Sequence, residues 1–366
     1  MVYINKPMVE KAILVGLARD NREKSQVEES LNELSELAYS AGAVVDDIKL
    51  QTRAPNSAHY IGKGMVQRLK DEISSNGTNL VIFDDPLSPA QQRNLEDALE
   101  VKVIDRSILI LDIFALHART KAAKLQVELA QLEYMLPRLT GAWSHFSRQH
   151  GGIGTKGPGE TQLEIDRRRV YSKIARLKKD LKKLGTQRAT QRKSRDELFK
   201  VTLVGYTNAG KSTLFNRLTN SRVETADMLF TTLDSTTRVM SQGFPEKIIF
   251  TDTVGFIKKL PHQLVESFKS TLEEVTFADL LLHVVDASDS NSAEKISQTE
   301  KVLTDIGAGD IDTLLILNKI DKADKPLGGT GKNLPTFRIS ALEALGLDEL
   351  KEELTNRLKL FSSRLR

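Results

Sequence analysis

The stretch "KVTLVGYTNAGKSTLFNRL" (residues 200–218) decides the fold. It opens as an apolar strand, passes through Gly205-x-x-x-x-Gly210-Lys211-Ser212, and runs on as an amphipathic helix. Each part has a physical task. Glycines let the backbone N–H groups of a tight loop turn inward around a phosphate, and the N-terminus of the following helix adds positive potential. A lysine at 211 reaches the β- and γ-phosphates, and the Ser212 hydroxyl suits Mg²⁺. The cradle expected from this pattern is Gly205, Tyr206, Thr207, Asn208, Ala209, Gly210, Lys211, Ser212 and Thr213.

Three further boxes follow in order. "IIFTDTVGF" (248–256) reads as a strand ending in Asp252-x-x-Gly255, where the carboxylate supports Mg²⁺ and the glycine N–H meets the γ-phosphate. "LLILNKID" (314–321) ends another strand with Asn318, Lys319 and Asp321. The Asp321 carboxylate can accept the N1–H and N2–H₂ protons of guanine. Adenine offers no such pair, and a buried acceptor left unpaired rejects the wrong ligand by roughly 10⁴-fold or more. "FRISALE" (337–343) brings Ser340 and Ala341, whose backbone N–H suits the guanine O6. Between the boxes, "LFTTLDSTTR" (229–238) offers Thr231 and Thr232 as the threonine that binds Mg²⁺ only while the γ-phosphate is present; Thr232 is the preferred choice. Together these predict a P-loop GTPase domain of mixed, mostly parallel sheet. It converts GTP to GDP with Mg²⁺ held by Ser212, Thr232 and Asp252, and Lys211, Thr232 and Gly255 lie nearest the chemistry.

Phe256 stands where a water-orienting glutamine often follows the glycine. A phenyl ring neither accepts nor donates a proton, so intrinsic turnover is expected to be slow and to need outside help. Asn208 has two readings: a K⁺ ligand that replaces an arginine finger, or a side chain that stabilises the loop.

Upstream, residues 1–106 alternate strands with helices. "AILVGLA" (12–18), "AVVDDIKL" (43–50), "LVIF" (80–83) and "VKVI" (101–104) read as strands. "SQVEESLNELSELAYSAG" (25–42) and "LSPAQQRNLEDAL" (87–99) read as helices. That alternation predicts a small parallel-sheet α/β domain. Residues 107–198 change character. Leu111, Ala115, Ala118, Ala122, Leu125, Leu129, Leu132, Leu136 and Leu139 alternate spacings of four and three, and Val170, Ile174, Leu177, Leu181 and Leu184 repeat them. Two such seams predict an antiparallel helical hairpin, with the glycine-rich segment 140–160 at its tip. The GTPase domain then occupies 199–366.

The net charge of +4 conceals an asymmetry: residues 139–195 hold 15 Lys and Arg against 4 Asp and Glu, a net of +11, which leaves −7 for the rest. Such a block marks a surface for a polyanion. "GAWSHFSRQHGG" (141–152) interleaves rings with cations, the arrangement that suits unstacked bases. The residues expected to touch RNA are Trp143, Arg148, Lys156, Arg167, Arg168 and Arg169. Segment 151–159, although glycine-rich, lacks both a preceding strand and a Gly-Lys-Ser/Thr, so it is not the phosphate loop. The absence of cysteine excludes disulfides, thiolate zinc sites and thiol nucleophiles, and fits a reducing cytoplasm. No run approaches the ~18 apolar residues of a membrane helix.

"GPGETQLEIDRRR" (157–169), the heptad hairpin, "HYIGKG" (59–64) and the four nucleotide boxes closely resemble the HflX family of ribosome-associated GTPases. The resemblance implies a cytoplasmic protein, and the chain is expected to be a monomer without membrane attachment. Its partners would be the large ribosomal subunit and its rRNA, with the hairpin tip near the peptidyl-transferase centre and ribosomes splitting or being rescued under stress. Ribosomes would stimulate its GTP hydrolysis. An ATP-dependent activity is attributed to the first domain of some members; residues 1–106 contain no Walker-type loop. Two other readings remain: a GTPase serving ribosome assembly or RNA or tRNA modification, without the cysteine expected for the latter, and a non-ribosomal signalling GTPase, for which "SSRLR" (362–366) supplies no lipidation motif.

Overall fold

The computed structural model describes residues 10–142, 158–193, 197–221, 229–230, 235–241, 243–259, 274–323 and 334–365. The chain divides into two compact units, Met1–Leu116 with Leu125–Lys179, and His117–Lys124 with Asp180–Arg366.

The first unit is built on a four-stranded sheet of β1 (Lys11–Ala18), β2 (Val44–Thr52), β3 (Leu80–Phe83) and β4 (Lys102–Asp105), in the order β2-β1-β3-β4 and parallel throughout. β1 reads as an unbroken apolar run because it is central and covered on both faces. β2 lies at the edge, and its Asp46, Asp47 and Lys49 blunt that edge against further pairing. Helices α1 (Lys24–Ser40), α2 (Lys63–Asn76) and α3 (Pro89–Leu99) connect the strands. α3 begins where the sequence says it should: Ser88 accepts from the Gln91 N–H, and the Gln91 side chain accepts in return from the Ser88 N–H. α2 is absent from the sequence reading.

α4 (Arg106–His117) and α5 (Lys121–Ala142) correct the picture of one long heptad arm. The chain breaks at 118–120, where the Thr120 hydroxyl accepts from the Ala123 N–H and starts a new helix. α4 is buried nearly all round, through Ser107, Leu109, Ile110, Leu111, Ile113 and Phe114, while the expected seam residue Ala115 is exposed. Its apolar spacing therefore reflects a core helix. In α6 (Pro158–Lys193) the seam holds: Ile174 and Leu177 are buried and Val170, Leu181 and Leu184 half-buried. Lys173 and Lys178 of α6 pair with Glu128 and Glu133 of α5 at 2.5 and 2.8 Å.

Buried charge organises the carboxyl ends of β3 and β4. Arg106, 1% exposed, donates to Asp84 Oδ1 at 2.6 Å, Glu33 Oε2 at 2.7 Å and the Ser30 carbonyl at 2.6 Å. Asp105 accepts from Leu87 N and Ile108 N, both at 3.0 Å, from the Tyr134 hydroxyl, and from Arg138 at 3.3 Å. Through Tyr134 and Arg138, α5 is thus fastened to the sheet. Buried charges persist only when paired and bonded in this manner.

The second unit carries a six-stranded sheet in the order β10-β9-β8-β5-β7-β6. Its strands are β5 (Phe199–Val204), β6 (Thr236–Met240), β7 (Ile248–Asp252), β8 (Leu280–Asp286), β9 (Thr313–Asn318) and β10 (Thr336–Arg338). All pair in parallel except β6, which runs antiparallel to β7. Helices α7 (Lys211–Thr219), α8 (Ser292–Asp305) and α9 (Leu347–Leu365) accompany these strands. One face of the sheet buries Val201, Leu203, Phe250, Leu282 and Ile316 with Phe215 of α7 and Leu350 and Leu354 of α9. The mixed, mostly parallel sheet matches the architecture expected from the nucleotide boxes.

Candidate nucleotide site

The phosphate loop leaves the central strand β5 and opens α7 at Lys211. Two of its glycines are required by space and by backbone. Gly205 has φ +141°, and a Cβ there would stand 2.1 Å from the Val284 carbonyl oxygen. Gly210 has φ +89°, and a Cβ there would stand 2.2 Å from the Asn318 carboxamide nitrogen. Only glycine meets both conditions.

Lys211 is buried, and its ammonium donates to the carbonyls of Gly205 at 3.1 Å and Tyr206 at 2.7 Å. Burial pulls its pKa down to about 8, and Asp252 opposes the shift. The Ser212 hydroxyl donates to Asp252 Oδ2 at 2.6 Å. Asp252 Oδ1 is buried without a hydrogen-bond partner, and burial raises the carboxyl's pKa. A hydroxyl and a carboxylate with one orphaned oxygen, side by side, form a hard-oxygen donor set suited to Mg²⁺. Gly255 approaches from β7: a Cβ on it would lie 2.9 Å from Lys211 Nζ. The Phe256 N–H donates to the Gly205 carbonyl at 3.1 Å, and the Thr207 N–H donates to the Phe256 carbonyl at 2.8 Å. Phe256 itself is buried, so its ring serves packing.

The far end of the pocket is tied to the near end by one side chain. Asn318, at the end of β9, donates from Nδ2 to the Ala209 carbonyl and accepts at Oδ1 from the Ala341 N–H, both at 2.9 Å. Lys319 takes φ +61° and pairs with Asp286 at 2.7 Å. Asp321 stands exposed on the short 3₁₀ turn Ile320–Lys322. Ser340 and Ala341 are buried, and Ser340 Oγ accepts from the Glu343 N–H at 3.1 Å. Tyr206, Thr207 and Ala209 are buried in the loop, Asn208 is exposed with φ +58°, and Thr213 is half-buried in the first turn of α7.

Thr231, Thr232, Trp143, Arg148 and Lys156 lie outside the described residues. Arg167, Arg168 and Arg169 sit on α6 in the other unit, where Arg169 pairs with Asp166 at 3.5 Å. The structure thus brings the described residues of the expected nucleotide set into one unit and carries the three arginines on the other. Two residues escaped the sequence reading: Asp286, the partner of Lys319, and Lys295 of α8, whose ammonium lies 4.7 Å from the centre of the Tyr206 ring. Asp286 closes the apolar run "LLLHVVD", a strand-end position at which a carboxylate is a usable signal. Nothing in the local pattern marks Lys295. Among the described residues no helix is long and apolar enough to cross a membrane, and no cluster of His, Asp and Glu could by itself hold a metal.

The chain matches the family descriptions "GTP-binding GTPase N-terminal" over residues 28–115, "GTP-binding GTPase Middle Region" over 117–195 and "50S ribosome-binding GTPase" over 200–319. It is 49% identical to GTPase HflX of Caldanaerobacter subterraneus, across 95% of this chain and 81% of that protein. It is 46% identical to GTPase HflX of Escherichia coli, across 90% of this chain and 79% of that protein. Among solved structures, a GTP-binding protein from Sulfolobus solfataricus in complex with GDP is 26% identical, covers 98% of this chain and 100% of its own, and superposes with a TM-score of 0.50. The SsGBP–GDP complex is likewise 26% identical, covers 97% and 100%, and superposes with a TM-score of 0.53. A phosphate loop closed by Asp252, Gly255 and the Asn318 tie, on a chain this similar to its relatives, leaves one conclusion: the chain belongs to the HflX family of GTPases and hydrolyses GTP to GDP and phosphate.

Proposed function

We propose that this GTPase is a cytoplasmic, monomeric ribosome-binding factor that engages the large subunit and its rRNA and splits or rescues stalled ribosomes under stress. Three segments divide the work. Residues 1–106 and the hairpin of 107–198, with its tip at 140–160, bind the ribosome, and residues 199–366 hold the nucleotide. The observation that carries this reading is the charge block: +11 over residues 139–195 in a chain otherwise at −7. Arg168, Arg169, Lys179, Lys182 and Lys183 lie exposed on α6, as phosphate contacts require. The name "50S ribosome-binding GTPase" carried by the matched family supports the same partner.

Within the pocket, Gly205–Thr213 cradle the phosphates, and Asp321 with Ser340 and Ala341 reads the guanine. Ser212, Thr232 and Asp252 hold Mg²⁺, which neutralises phosphate charge when bound. Asn208 either holds K⁺ beside the phosphates or stabilises the loop. Lys211, Thr232 and Gly255 meet the transferring phosphoryl group. Phe256 supplies no proton acceptor, so the ribosome completes the site and accelerates turnover.

Sedimentation through a sucrose cushion tests this. With a non-hydrolysable GTP analogue, the protein should pellet with 50S subunits, and the addition of 50S should raise GTP turnover at least tenfold. Co-sedimentation that is indifferent to nucleotide and subunit, with turnover unchanged, would reject the reading.

A further inference from the structure

The Thr207 hydroxyl oxygen is buried in the phosphate loop and has no hydrogen-bond partner. The residue is held firmly: its N–H donates to the Phe256 carbonyl at 2.8 Å. Its neighbours place the residue in the loop. A Cβ built on Gly255 would lie 2.7 Å from Thr207 Cα, 2.8 Å from Thr207 Cγ2 and 2.9 Å from Lys211 Nζ. Thr207 therefore stands beside Gly255 and the Lys211 ammonium, with its hydroxyl on the same Cβ as the methyl that meets Gly255, and a phosphate-loop lysine reaches the β- and γ-phosphates.

A buried hydroxyl without a partner costs free energy, and valine would fill the same shape without that cost. The cost is recovered if the hydroxyl finds its acceptor once the loop is loaded. We propose that Thr207 is a catalytic residue of the GTPase reaction, its hydroxyl donating a hydrogen bond to a non-bridging oxygen of the γ-phosphoryl group. This rests on the reading of Gly205–Ser212 as the GTP pocket. In the step, a water oxygen bonds to the γ-phosphorus and the bond to the β–γ bridging oxygen breaks. GDP leaves with that electron pair, one water hydrogen stays on the transferred oxygen, and the other passes as a proton to a phosphate oxygen. Thr207 keeps its own proton throughout. Its hydrogen bond strengthens as charge shifts over the phosphoryl oxygens.

The test compares Thr207→Val, Thr207→Ser and Thr207→Ala in the full chain, with GDP and a non-hydrolysable GTP analogue as binding probes. Thr207→Val should lower kcat by about 10- to 100-fold, somewhat less than the loss typical of a neutral oxyanion donor. Its GDP affinity should stay within twofold of the parent, and its nucleotide-free form should melt a few degrees higher because the orphaned oxygen is gone. Thr207→Ser should restore most of the turnover, and Thr207→Ala should lose it as Thr207→Val does. A Thr207→Val protein with kcat within threefold of the parent overturns the proposal. So does one in which GDP affinity falls in step with turnover, because the hydroxyl would then serve the loop and not the γ-phosphoryl group. Failure of the parent chain to bind GDP would instead overturn the pocket reading.

Discussion

Truncating Asn318 asks whether one carboxamide joins the two ends of the nucleotide pocket. Asn318 is 2% exposed and spans from the Ala209 carbonyl to the Ala341 N–H, with both bonds at 2.9 Å. In Asn318→Ala each lost bond removes about 1 kcal/mol, and a buried group left without its partner costs a further ~1–3 kcal/mol. Water entering the space vacated by the side chain satisfies part of this, which leaves a loss of about 3–5 kcal/mol. For a unit of this size, ~1 kcal/mol moves the melting temperature by about 2–4 °C, so the midpoint should fall by roughly 6–20 °C. Asn318→Asp separates the two bonds. It keeps the acceptor for Ala341, but turns a carboxylate oxygen toward the Ala209 carbonyl. Folding then favours the protonated acid, so the folded pKa is raised. The stability lost at neutral pH should return in part as pH falls through that raised value. Differential scanning calorimetry at pH 7.5 and 5.5, with a GDP titration of each variant, reads all three quantities. GDP affinity should fall at least tenfold in Asn318→Ala, since the phosphate loop and the base loop then move independently. A midpoint within 2 °C of the parent, with GDP affinity unchanged, would refute the argument.

Three other outcomes are expected. Lys211 is pulled by burial to about 8, below its unfolded value near 10.4, so its contribution to stability is unfavourable below pH 8 and is relieved as pH rises from about 8 to 10.4. Phosphate restores the charged form; GDP binding should therefore take up a proton above pH 8 and weaken toward tenfold per pH unit, and calorimetry showing pH-independent affinity from 7 to 9.5 would rule this out. Arg106→Met removes the guanidinium that pairs with the fully buried Asp84 carboxylate and should cost about 3–5 kcal/mol in urea unfolding of the first unit, a change under 1 kcal/mol being inconsistent with a buried pair. Asp321→Asn exchanges an acceptor for a mixed donor and acceptor, so xanthosine triphosphate should displace GTP as the preferred substrate, and retained GTP preference would remove Asp321 from base recognition.

The phosphate loop, the strand-end carboxylate Asp252, the four strands of the first sheet, β5, β7 and β9 of the second and the Ser88 cap of α3 were legible because their physics is local. Glycine at 205 and 210, an apolar run before them and a helix after them settle the backbone within a dozen residues, and a capping box needs four. The tertiary structure alone decided the contacts that cross the chain. Asn318 reaches Ala209 over 109 positions, Arg106 reaches Ser30 over 76, and Lys295 finds Tyr206 only because α8 packs beside the central strands. It also ended the first heptad arm at 118–120. The four-and-three spacing is the same for a helix that buries one stripe and one buried all round, and only the neighbours of α4 distinguish them. The orphaned oxygen of Thr207 is of the same kind: a hydroxyl lacks a partner only once every neighbour is in place.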